Sequence, residues 1–72
     1  MTLKQIEAFY WAAALGNFAM AAARLHITQS SLSKRIAELE SELDQTLFDR
    51  SHKHSALTLA GERLLPRCRT ML

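Results

Sequence analysis

The sequence predicts a mainly α fold: a core of three helices, a two-stranded β wing and a C-terminal helix. Three observations predict it. Apolar residues recur at steps of three and four through residues 3–15, 29–44 and 59–72, which marks one face of a helix. Residues suited to N-caps, Thr2, Asn17, Thr28 and Thr58, stand at the head of four candidate helices. Between Leu47 and Leu57 the helical period lapses into two short apolar pieces around a polar turn, the pattern of a hairpin.

The first helix is capped by Thr2 and carries Leu3, Ile6, Phe9, Tyr10, Ala13 and Ala14 as its apolar stripe; Gly16 supplies the stop. Trp11 falls beside that stripe. It reads either as a partner contact or as an aromatic cover over alanine-rich surface. Asn17 caps a short second helix, Phe18 to Leu25, whose Ala19, Ala21, Ala22 and Ala23 let two helix backbones come close.

The third helix follows a short break at His26 and Ile27, with Ile27 expected to be buried. Thr28 caps it, and Leu32, Ile36, Leu39 and Leu43 give it an apolar face as far as Asp44. Helix, tight break, helix is the helix-turn-helix arrangement. The charges along this helix are segregated. Lys34 and Arg35 lie in the first half with no acid; Glu38, Glu40, Glu42 and Asp44 lie in the second with no base. The helix dipole favours the opposite order. The arrangement makes sense if the basic, hydroxyl-rich end meets a polyanion and the acidic end faces water. The plainer reading is a solvated helix surface.

Residues 49–55 are polar and basic and predict the turn of the wing. Thr58 then caps a last helix. Its apolar residues, Leu64, Leu65, Cys68, Met71 and Leu72, form a stripe expected to be exposed and to pair two copies of the chain. Pro66 lies inside this helix and removes one backbone hydrogen bond.

Composition narrows the function. Seventy-two residues make one small domain, 49% apolar, with net charge +2. One cysteine permits no internal disulfide and fits a reducing, cytoplasmic setting. No nucleophile–base–acid set, glycine-rich phosphate loop or paired carboxylates are present, so the chain is not expected to be an enzyme. Glu38, Glu40 and Glu42 cannot converge on one point of a helix. His52 and His54 flank Lys53 but lack a third ligand nearby, so no metal is expected. His26 and Cys68 read as structural residues.

Phe18, the Ala21–Ala22 pair, the run from Leu25 to Ser33, Leu39-Glu40-Ser41-Glu42-Leu43, Leu47-Phe48-Asp49-Arg50 and Leu57-Thr58-Leu59-Ala60-Gly61 together resemble LysR-type transcriptional regulators. The resemblance implies a winged helix-turn-helix DNA-binding domain over 1–58 and the start of a dimerising linker helix over 59–72. It places the recognition helix over 28–44, in the major groove of double-stranded DNA, and the wing over 49–57. It implies base contacts from Gln29, Ser30, Ser33 and Lys34. Thr28, Arg50 and Lys53 would hold phosphates or the minor groove, with Asn17, Ser31 and Arg35 as further backbone contacts. The side-chain chemistry suits those roles. It also implies a bacterial, cytoplasmic homodimer, with higher oligomers open to the full-length protein. No cofactor is expected in this domain, the small-molecule effector being bound by a C-terminal domain outside these residues. The helix reaching Leu72 suggests a fragment.

Departures are specific. Asp44 stands where the family usually has glycine, Ser30 where many members have proline, and Ala19 and Met20 where a hydroxyl and a basic residue are common. Two other readings stay open: a winged helix used only for protein contacts, and a related winged-helix regulator that senses an oxyanion.

Overall fold

The computed structural model describes residues 1–49 and 56–72. The chain runs α1 (Leu3–Leu15), α2 (Phe18–Leu25), α3 (Gln29–Leu43), β1 (Phe48–Asp49), β2 (Ala56–Leu57) and α4 (Leu59–Met71). The first three helices pack on one another, and α4 lies against α1 and β2. The two strands pair antiparallel, Phe48 with Leu57 and Asp49 with Ala56.

Each helix begins where a side chain accepts an orphan N–H. Thr2 accepts from Gln5, Asn17 from Met20, Thr28 from Ser31 and Thr58 from Gly61. At α1 the cap is reciprocal, because Gln5 Oε1 accepts the Thr2 N–H at 3.1 Å. Three helices end in the left-handed region: Gly16 at φ 64, His26 at φ 58 and Asp44 at φ 52. Asp44 therefore adopts the conformation for which glycine is preferred, and α3 ends at Leu43, one residue before the expected limit.

The core comprises Ile6, Ala8, Phe9, Ala12, Ala21, Ala22, Leu32, Ile36, Leu39, Leu47, Phe48 and Cys68. Phe48 anchors β1 in it, tilted against Phe9 at 5.5 Å and edge-on to Phe18 at 5.2 Å. Ala21 is fully enclosed, which fits the close helix approach that small side chains permit.

Four expectations are corrected. The buried stripe of α1 is Gln5, Ile6, Ala8, Phe9 and Ala12; Leu3 is exposed because Gln5 turns inward to close the capping box. Ile27 is half-buried, and the turn is held by backbone as well, the Ile27 N–H donating to the Ala22 carbonyl at 3.0 Å. Glu40, expected to face water, is half-buried and bound to backbone. The apolar stripe of α4 is not an open surface: Cys68 is in the core, Leu64 and Leu65 are half-buried against it, and only Met71 and Leu72 are exposed. That face of α4 packs onto its own domain. Pro66 does not end α4, which continues to Met71. Among the described residues no helix is long and apolar enough to cross a membrane.

Candidate nucleic-acid interface

The turn between α2 and α3 is built from backbone conformation. His26 takes left-handed angles, its N–H returns to the Ala23 carbonyl at 3.2 Å, and Thr28 opens α3 from an extended conformation. The apolar face of α3 then points inward through Leu32, Ile36 and Leu39. Helical spacing turns Ser30 and Lys34 to the opposite side and Ser33 to its flank, and Gln29 stands at the first turn. Gln29, Ser30 and Lys34 are exposed and Ser33 is half-buried. The four residues expected to read bases are thus brought onto one accessible end of α3. That end contains glutamine amide, serine hydroxyl and lysine ammonium groups and no acid.

The expected backbone contacts divide. Asn17 and Ser31 are exposed and Arg35 is half-buried. Asn17 Oδ1 accepts the Met20 N–H at 2.9 Å, which commits its oxygen and leaves the amide N–H groups as its donors. Thr28 Oγ1 accepts the Ser31 N–H at 3.0 Å. Arg50, Lys53, His52 and His54 lie outside the described residues, as does the turn of the wing.

The acids of α3 are kept away from this end. Glu38 is exposed beyond Lys34, Glu40 turns to the start of β1, and Glu42 meets the Met1 amino group at 2.9 Å. The hydrogen bond from that amino group holds the Glu42 carboxyl below the usual carboxylate range. Among the described residues no group of three or more His, Cys, Asp or Glu side chains is placed to hold a metal.

Sequence reasoning missed two residues. Arg24 stacks over Trp11, its guanidinium carbon 4.5 Å from the ring centroid, while Tyr10 meets the same indole edge-on at 5.2 Å. Trp11 is half-buried, so much of the surface offered to a partner in the sequence reading is engaged within the chain. Arg24 was detectable as the basic residue in the last turn of α2. The second is Glu40, for which the sequence carried no signal, since its partners lie seven and eight positions away.

The sequence pattern of the bacterial regulatory helix-turn-helix proteins of the lysR family matches residues 3–62. An uncharacterized HTH-type transcriptional regulator of Azotobacter vinelandii, from an ibpB–leuC intergenic region, is 47% identical over 72 residues, covering all of this chain and 50% of that protein. The HTH-type transcriptional regulator ShiR of Corynebacterium glutamicum is 46% identical over 69 residues, covering 96% of this chain and 23% of that protein. The chain therefore spans half the length of one curated relative and under a quarter of the other. The DNA-binding domain of CbnR, solved as a complex with DNA, superposes with a TM-score of 0.93 at 37% identity, over 99% of this chain and 82% of that one. These are regulators rather than enzymes, and the winged helix-turn-helix expected from the sequence is borne out. The chain belongs to the lysR family of bacterial regulatory helix-turn-helix proteins.

Proposed function

We propose that the chain reads double-stranded DNA sequence, with the first half of α3 in the major groove. The observation that carries this reading is the exposed, acid-free end of α3, where Gln29, Ser30 and Lys34 stand clear of a helix anchored by Leu32, Ile36 and Leu39. Glutamine pairs with adenine N6 and N7, lysine with guanine O6 and N7, and serine with either base. Thr28, Asn17, Ser31 and Arg35 flank that end and hold the phosphates, joined by Arg50 and Lys53 of the wing.

The active form is a homodimer acting in the bacterial cytoplasm, with α4 as the start of the linker helix between subunits. Met71 and Leu72, both about half exposed, support this reading as the part of the stripe not already used by the core. Leu64 and Leu65 contribute only their outer flanks, and Cys68 contributes nothing outward. Two-fold pairing sets two recognition helices about 34–36 Å apart, or a multiple of that, on one face of the duplex. The small-molecule effector binds in the part of the relatives that this chain does not span.

The test is a salt titration of binding to a selected duplex and to its scrambled counterpart. Gln29→Ala should lower affinity for the selected duplex by about 1–3 kcal/mol and leave the scrambled one nearly unchanged. Lys53→Ala should weaken both and flatten the slope of log K against log salt by about one unit. Equal losses on both duplexes for Gln29→Ala would remove α3 from base reading. Weak binding that ignores salt would point instead to a winged helix used for protein contacts.

A further inference from the structure

Among the described residues, the recognition helix and the root of the wing are joined through the side chain of Glu40. Glu40 projects from the second half of α3, and its Oε2 accepts the backbone N–H of Leu47 at 2.7 Å and that of Phe48 at 3.4 Å. The Leu47 carbonyl in turn accepts the Thr58 N–H at 3.0 Å. The Thr58 hydroxyl donates to the Thr46 carbonyl and accepts the Gly61 N–H at 3.2 Å. A continuous path of hydrogen bonds therefore runs from α3, through the segment before β1, to the cap of α4. The path includes Phe48, where β1 begins, and Thr58, which follows β2. From this geometry we infer that Glu40 is a positioning residue for DNA binding, setting where the root of the wing, Leu47 to Asp49, is held relative to the recognition helix.

A plain need for hydrogen-bond partners does not account for the choice of residue. Leu47 and Phe48 are each already fixed by complete burial of their side chains, and a loop N–H in a half-buried place can be satisfied by water. A carboxylate binding two successive N–H groups does more. The 2.7 Å bond to Leu47 is short, as charge-assisted bonds are, and such bonds are about twice as strong as neutral ones; the 3.4 Å contact to Phe48 is the weaker of the two. Here they tie the wing root to the same helix that carries Gln29 and Lys34. Glu40 lies one residue after Leu39, which is wholly enclosed in the core and anchors the backbone there.

The inference rests on the wing clamping phosphate, and the experiment separates the two. Salt titrations are run on the 72-residue chain for wild type, Lys53→Ala, Glu40→Gln, Glu40→Ala, Glu40→Asp and the Glu40→Ala/Lys53→Ala pair. Gln keeps an acceptor at the same reach and loses the charge; Asp keeps the charge and loses the reach. Glu40→Ala and Glu40→Asp should each flatten the salt slope by about as much as Lys53→Ala does, about one unit. Glu40→Gln, which keeps an acceptor but loses the charge assistance, should flatten it only part of the way. The double variant should flatten it no further than either single change, since the two act through one contact. Amide exchange should quicken at Leu47 and Phe48 in the Ala and Asp variants while the amides of α1 stay protected. If Lys53→Ala flattens the slope and the Ala and Asp variants do not, the positioning role is overturned and the wing clamp stands. If Lys53→Ala leaves the wild-type slope unchanged, the wing clamp fails and the positioning role falls with it. Should Glu40→Ala fail to fold, the contrast between Glu40→Asp and Glu40→Gln gives the same decision.

Discussion

The hydroxyls of Thr28 and Ser31 are paired at the entrance to the recognition helix. Thr28 Oγ1 accepts the Ser31 N–H and donates to Ser31 Oγ, both at 3.0 Å. The Thr28 side-chain proton is thus spent inside the chain, so a phosphate contact from Thr28 falls to its backbone N–H, and the Ser31 hydroxyl is left as the side-chain donor. Thr28→Ala should lower stability by about 0.5–2 kcal/mol through loss of the cap, whereas Thr28→Ser should retain most of it. Ser31→Ala keeps the N–H that the cap needs, so it should weaken DNA binding while changing stability little. Urea denaturation beside a binding titration separates the two. A Ser31→Ala variant as unstable as Thr28→Ala would contradict this division of labour.

Asp44 is held at φ 52 and ψ 40, at the C-terminus of α3. Two effects oppose it there: left-handed angles strain a side chain with a Cβ, and a carboxylate meets the negative end of the helix dipole. Asp44→Asn removes the charge and keeps a residue that tolerates the conformation, so it should stabilise by about 0.3–1 kcal/mol. Asp44→Gly relieves both effects and should stabilise at least as much, although glycine enlarges the entropy of the unfolded chain. The check is the urea midpoint at low and high salt. The gain from Asn should shrink with salt, and the extra gain from Gly should not.

Much of this fold was legible because its signals are local. Thr2, Asn17, Thr28 and Thr58 cap helices through partners three residues on, and Gly16 and Asp44 end them in left-handed turns. The accessible end of α3 was legible from its apolar spacing and its segregated charges, since placing Leu32, Ile36 and Leu39 inward turns Ser30 and Lys34 out, while its residues' roles at DNA came from the family resemblance. What escaped depends on packing between distant segments. The stripe of Leu64, Leu65 and Cys68 has the spacing of an interface and of a core face alike; packing of α4 against its own domain encloses Cys68 and leaves Leu64 and Leu65 half-buried. Glu40 looked like any surface acid because its acceptor role appears only once the Leu47 and Phe48 N–H groups arrive beside it. Leu3 shared the period of the α1 stripe but lies in the first turn, where the capping box orients the chain.

Cys68 is fully enclosed, and burial pushes its thiol pKa up. The thiolate is the reactive form, so a thiol reagent at mildly alkaline pH should leave the folded chain nearly unmodified and label it at once in urea. Interchain disulfides should not form under oxidising conditions without unfolding. The shift also has a consequence for stability. The folded state keeps the proton that the unfolded state gives up, so its contribution is complete below the ordinary thiol pKa. It is lost as pH rises from there through the raised value. Cys68→Ala should abolish that alkaline decline. Cys68→Ser adds a hydroxyl to an apolar site and should destabilise by about 1–3 kcal/mol unless it finds a partner. Rapid labelling of the native chain would place α4 away from the core.

Gly61 decides how closely α4 sits against the root of the wing. A Cβ at this position would overlap the Leu47 carbonyl oxygen and come within 2.8 Å of Leu57 Cδ2. Two effects then compete in Gly61→Ala. Helix propensity favours alanine over glycine by about 1 kcal/mol. Overlap opposes it, and the obstacle is backbone, not a side-chain tip that can swing away. The Leu47 carbonyl is itself held, because it accepts the Thr58 N–H at 3.0 Å. Moving it breaks the bond that joins the wing root to the cap of α4. Overpacking of this kind costs about 1–3 kcal/mol, so the overlap should win and Gly61→Ala should lower the melting temperature. Ser41→Ala, at an exposed position of α3, is the control for propensity alone and should leave stability unchanged or slightly raised. The Gly61 variant should also show altered amide shifts at Leu47, Leu57 and Thr58, with those of α2 unmoved. A Gly61→Ala chain more stable than wild type would mean that α4 rides farther from Leu47 than this geometry places it.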